Sequence, residues 1–143
     1  MTRILVATDG SEGADRAIDY AARWAKNAGA DLLIVNVMGS LPEKLLRSFT
    51  HAQHAWIDEL FGSLSAETLT QARDRALSAG AGIIELESRT GDAAPTSIDI
   101  GREKGIDAIV VGRRGVGQVT GLLLGSVSQK LASLAPLPVI VVP

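Results

Sequence analysis

The sequence predicts an α/β protein: one domain over residues 1–143, built on an open, parallel five-stranded sheet of order 3-2-1-4-5 with helices on both faces. Three observations carry this. Arg3–Thr8, Leu32–Val37 and Asp107–Val111 are nearly continuous apolar runs, the pattern of strands covered from both sides. The segments between them repeat apolar residues at helical spacing, so strands and helices alternate, and right-handed crossovers then impose a parallel sheet. Turn chemistry is concentrated after the first and fourth strands, and in this strand order those two turns meet at the reversal point where open sheets bind ligands.

Taken in order, Arg3–Thr8 is the first strand. Asp9-Gly10-Ser11-Glu12 breaks it and supplies helix-start chemistry, and Ala14, Ala17, Ile18, Ala21, Ala22 and Ala25 follow at helical spacing until Gly29. Leu32–Val37 is the second strand. Residues 39–62 are too long for a simple crossover. Pro42 can open a helix there, with Leu45, Phe49, Ala52, Trp56 and Leu60 along one side, so the stretch reads as a helical extension. A separate helix is expected over Ala66–Ala79, stopped by Gly80. Ile83–Glu87 is the third strand, its alternation suggesting a more exposed position. A helix over Ala93–Lys104 ends at Gly105. Asp107–Val111, Ser126–Leu134 and Val139–Val142 complete the pattern as strand, helix and strand.

Composition narrows the function. Apolar residues make up 46% of the chain and aromatics 3%, so the core is aliphatic and alanine-rich. With 14 basic and 16 acidic side chains the formal charge is −2, which offers no uniform field to nucleic acid or an anionic membrane. The absence of cysteine excludes disulfides and thiol chemistry. No apolar run approaches the roughly 20 residues that span a bilayer, and the start has no signal-peptide layout, so a cytoplasmic protein is expected.

The chemistry concentrates in residues 110–127, Val-Val-Gly-Arg-Arg-Gly-Val-Gly-Gln-Val-Thr-Gly-Leu-Leu-Leu-Gly-Ser-Val. A strand end, a glycine-rich loop and a helix N-terminus together make an anion site, because loop N–H groups and the positive end of the helix dipole converge. Arg113 and Arg114 add donors suited to phosphate. A Walker A loop would need a lysine before Ser126, and a dinucleotide fingerprint would follow the first strand. What fits is G-x2-G-x9-G-S, read on Gly112, Gly115, Gly125 and Ser126.

That pattern, with Ala7-Thr8-Asp9-Gly10-Ser11, Val35-Asn36-Val37, Thr90-Gly91-Asp92 and Leu123-Leu124-Gly125-Ser126-Val127, resembles the ATP-binding branch of the universal stress protein family over essentially the whole chain. The resemblance implies a Rossmann-like, adenine nucleotide alpha hydrolase-like fold and ATP as ligand; Mg2+ could accompany it, with Asp9 the only carboxylate in place for the ion. It implies that Asp9 holds the ribose, that the Val37 backbone meets adenine, that Val111 packs beside the base, and that Gly112, Gly115, Gly125, Ser126 and Val127 hold phosphates. Gly10, Arg113, Arg114 and Gly117 lie in the same loops and join the candidate list. It also implies a role in stress survival, an unknown protein partner and a homodimer.

Other readings of the same residues stand beside these. Ser126 with Gln129, and Asp9 with Glu12, also spell helix caps. Gly112 and Gly115 also suit a tight turn, and the two arginines also suit a solvated surface. His51 and His54, three residues apart, lack a third ligand at a metal-site spacing. Val139–Val142 would be an apolar edge strand without a charged guard, which invites pairing with a second copy. Three functions follow: a nucleotide-dependent regulator, a slow ATPase or nucleotidyl-transferring enzyme, and a nucleotide-free dimerising module. The lack of a P-loop lysine and of paired carboxylates weighs against the enzyme, and retention of the glycine motif against the module.

Overall fold

The computed structural model describes residues 2–114 and 124–143; Gly115 and Gly117, both in the predicted site, lie outside the described residues. The chain runs β1 (Arg3–Ala7), α1 (Glu12–Ala28), β2 (Asp31–Met38), α2 (Glu43–Arg47), α3 (His51–Ser78), β3 (Ile84–Thr90), α4 (Ala93–Lys104), β4 (Ala108–Gly112), α5 (Ser126–Leu134) and β5 (Val139–Val142). The sheet order is β3-β2-β1-β4-β5, with every neighbouring pair parallel. This is the predicted topology.

Strand pleating divides the core in two, because successive side chains point to opposite faces. Ile4, Val6, Leu32, Ile34 and Val110 join Ala17, Ile18, Ala21 and Ala22 of α1 and Leu69, Ala72 and Ala76 of α3. Leu5, Leu33, Val35, Ile109 and Val111 join Ala94 and Ile98 of α4 and Leu131 of α5. The alanines let α1 lie close to the sheet. Ser11 caps α1 by accepting from the Ala14 N–H at 3.2 Å, and Gly29 closes it in the left-handed conformation at φ 63°.

Residues 39–62 depart from expectation. A short α2 follows Pro42, and then one 28-residue helix, α3, replaces the two that were predicted. Thr50 and Gln53 form a capping box at its start, with Gln53 N–H donating to Thr50 Oγ1 at 3.2 Å and Thr50 N–H to Gln53 Oε1 at 2.8 Å. Gly62 passes inside the helix, where glycine costs only about 1 kcal/mol relative to alanine and does not by itself end it. The predicted apolar side is not a core side: Leu45 is 44% exposed and Trp56 62%, and no residue of α3 before Ser65 is buried. His51 and His54 lie in the first turn of α3, where the Phe49 ring meets His54 edge-on at 5.8 Å. Among the described residues no three His, Cys, Asp or Glu side chains are placed to share an ion. No described helix is long and apolar enough to cross a membrane.

Candidate functional site

Beyond the carboxyl ends of β1, β2 and β4 the sheet opens into a cleft of about 610 Å³, its mouth included. It lies on the α4 and α5 side of the sheet, at the reversal of strand order. The N-terminal ends of three helices contribute to its wall: Ser11 and Ala14 of α1, Ala93 of α4, and Gly125 through Ser128 of α5. Helix N-termini carry partial positive charge and open N–H groups, so their convergence makes the cleft an anion-binding environment before any side chain is counted.

The β1 turn is held by its own side chains. Gly10 N–H donates to Thr8 Oγ1 at 3.1 Å and Ser11 N–H to Asp9 Oδ1 at 3.0 Å. From below, Asn36 Nδ2 donates to the Thr8 carbonyl at 2.9 Å. Ser65 of α3 donates to Asn36 Oδ1 at 2.7 Å and meets Ser88 of β3 at 2.6 Å. A buried polar network thus fixes the turn that carries Asp9, which a loosely packed apolar site could not do. Val37 lies two residues past Val35, whose carbonyl accepts from Thr8 N–H at 2.8 Å. By strand alternation the Val37 backbone faces the same side, beyond the end of β1.

The β4 loop is pinned at its two ends. The Arg113 carbonyl accepts from Gly125 N–H at 2.7 Å and from Ser128 Oγ at 2.8 Å, while Arg113 N–H donates to Val142 O at 2.7 Å. The chain therefore returns to the end of β4 to start α5. Gly125 is the N-cap and Ser126 the first helical residue, and α5 has no side-chain cap, so the capping-box reading of Ser126 and Gln129 is not what the fold uses. Ser126 instead stands exposed at the cleft wall. Glycine at 112 is required by close approach: a Cβ there would lie 2.6 Å from the Gly13 carbonyl oxygen.

Nine of the ten predicted residues that are described line this one cleft: Asp9, Val37, Val111, Gly112, Arg113, Arg114, Gly125, Ser126 and Val127. Gly10 does not. It turns away at φ 81°, and a Cβ there would sit 3.7 Å from Thr68 of α3, so its part is to shape the turn. Sequence reasoning missed Ala7, Thr8, Ser11, Ala14, Val35, Ala93, Ser97 and Ser128 in the wall. It also missed Gly13, where a Cβ would meet the Arg114 carbonyl oxygen at 2.2 Å. The available signal was a glycine in the first turn of an otherwise alanine-rich helix, which needs a packing reason.

The universal stress protein family model matches residues 1–143. Universal stress protein YxiE of Bacillus subtilis is 32% identical over 147 aligned positions, covering 98% of this chain and 97% of its own length. The solved structure of universal stress protein UspA from Lactobacillus plantarum superposes with a TM-score of 0.83 at 26% identity, covering 99% of this chain and 97% of its own. A universal stress protein solved in complex with cAMP gives a TM-score of 0.72 at 28% identity, covering 99% and 96%. With its cleft, its glycine-bounded loop and these matches along its whole length, the chain belongs to the universal stress protein family.

Proposed function

We propose that this protein binds an adenine nucleotide, ATP with its Mg2+, in the cleft above β1 and β4, and acts as a nucleotide-dependent regulator in stress survival rather than as a fast catalyst. The observation that carries the reading is the meeting of an apolar slot and an anion site in one cavity. Val35, Val37 and Val111 line one part, suited to a base, and Gly112, Arg113, Arg114 and the first turn of α5 line another, suited to phosphates. A family member bound to cAMP supports the adenylate class. Asp9 is the one carboxylate among the described residues lining the cleft, so Mg2+ would be held chiefly by phosphate oxygens, as this ion commonly is. A lone carboxylate beside a triphosphate is better employed in accepting hydrogen bonds from ribose hydroxyls.

Calorimetric titration of nucleotide-free protein with ATP, AMP and cAMP tests this, with micromolar-range affinity expected for ATP. Gly125→Ala adds a Cβ 3.1 Å from the Arg113 carbonyl oxygen, which would push apart the backbone at the start of α5, where the phosphates are proposed to bind. It should weaken ATP binding about tenfold while the far-UV spectrum stays unchanged. Equal affinity in parent and variant would remove the phosphate assignment. A homodimer through β5 belongs to the same proposal, since Val139–Val142 forms an outer strand of the sheet with no charged side chain.

A further inference from the structure

We infer that a second cleft, on the opposite face of the sheet, is a binding site for a small organic amine, an apolar body carrying one ammonium group that pairs with Asp58. The inference goes beyond the nucleotide reading and does not rest on it. The cleft has a volume of about 750 Å³, its mouth included, within the range of about 300–1,000 Å³ common for small-molecule sites. It lies between α3 and the ends of β2 and β3, with Leu46 of α2 in a third wall. Strand pleating sets the face. Ile34 and Leu86 pack on the α1 and α3 side, so Met38, Ser88 and Thr90, an even number of residues further on, face that side too. Val37, which lines the first cleft, faces the other way.

The sequence of α3 keeps this cleft open and gives it a charge. In the buried stripe of the helix, Ala72 lies about two turns after Ser65, and Ala76 about two turns after Leu69. The same step taken toward the helix start reaches Asp58 and Gly62, where a packed helix would place apolar residues. Both line the cleft. Close packing does not demand the glycine, because a Cβ at Gly62 would meet nothing within 4 Å. Glycine weakens a helix interior, and here its missing side chain leaves the space free. Asp58 makes no hydrogen bond or ion pair to any described residue. Around it Met38, Leu41, Leu46, Ile57 and Phe61 are only half-buried. A carboxylate without a partner beside apolar walls complements an ammonium group on a hydrocarbon or aromatic body. A metal ion would need further ligands, and no cluster of described residues supplies them.

The test uses two fluorescent probes: dansylcadaverine, an aromatic body on a primary amine, and its N-acetyl derivative, which carries no charge. Fluorescence titration of the full chain should show saturable binding with the amine favoured about three- to fivefold, the range of one solvent-screened ion pair. Asp58→Asn should bind both probes alike, at the affinity of the acetyl derivative. Gly62→Leu fills the cleft from a position open to a side chain, so it should lose both probes while the melting temperature rises. The inference is overturned if the parent binds neither probe, if it binds the two equally, or if amine binding survives Gly62→Leu.

Discussion

The two edges of the sheet are built on opposite principles. At β3, Glu85, Glu87 and Arg89 alternate along the strand and are tied into ion pairs: Glu85 with Arg3 at 3.1 Å and Lys104 at 3.0 Å, and Arg89 with Glu87 at 2.9 Å and Glu103 at 2.5 Å. At β5, the residues are Val139, Ile140, Val141 and Val142, partly buried against both core clusters and bare of charge. An open strand edge is a template for pairing with another chain, and charge is a common guard. The protein guards one edge with charge and the other only with the prolines, Pro138 and Pro143, that flank it. The contrast is what the proposed pairing of β5 with a second copy rests on, and it gives the β3 charges the role of keeping further copies from adding on.

Reversing the chemistry of each edge would break the comparison. The largest effect is expected at β5, where Ile140→Lys should convert a dimer to a monomer in sedimentation velocity while a cooperative thermal transition remains. An unchanged sedimentation profile would refute the open-edge reading. Stripping the guard is next: Glu85→Leu with Glu87→Leu should produce species larger than the parent that grow with protein concentration. Unaltered size across a hundredfold dilution would show that the β3 charges have no guarding role.

The smallest effect is thermodynamic. The hydrogen bond from Lys104 holds the Glu85 carboxyl below its usual 4.5, and the one from Arg89 lowers Glu103 in the same way. A carboxyl lowered by folding contributes stability that is full above its unfolded value and lost as pH falls through the folded one. Both pairs are solvent-screened, so Glu85→Gln should lower the melting temperature at neutral pH by no more than about 3 °C. That difference should shrink in high salt and vanish as pH is taken below the lowered value. A constant difference down to strong acid would mean that packing, not charge, explains it.

Much of this was legible in the sequence for reasons visible in particular residues. The helix over Ala93–Lys104 ends where Gly105 takes the left-handed conformation at φ 64°, and β5 is bounded by prolines. Asp9 and Gly112, more than a hundred residues apart, were brought together by strand order alone. The course of α3 was not legible. At 3.6 residues per turn, Trp56, Leu60 and Leu64 fall about 150° away from the buried stripe of Ser65, Leu69, Ala72 and Ala76, so no single apolar face runs along the helix. Gly62 then read as an end when the helix runs on through it.

Ser97 was hidden for a different reason. A serine between Ala94 and Ile98 looks like a weak helix position, and only the packing of α4 on the sheet puts it in the cleft wall.

By itself the sequence determined the five strands and their order in the sheet, the helices outside residues 39–78, and the switch point where a ligand belongs. These follow from periodicity, turn chemistry and chain handedness, all of which are local or topological. Tertiary structure alone decided which side chains wall the cleft, that the Arg113 carbonyl pins Gly125 and Ser128, and that Gly13 and Gly112 touch. Such facts depend on how close two backbones approach, and that distance is set jointly by every residue between them.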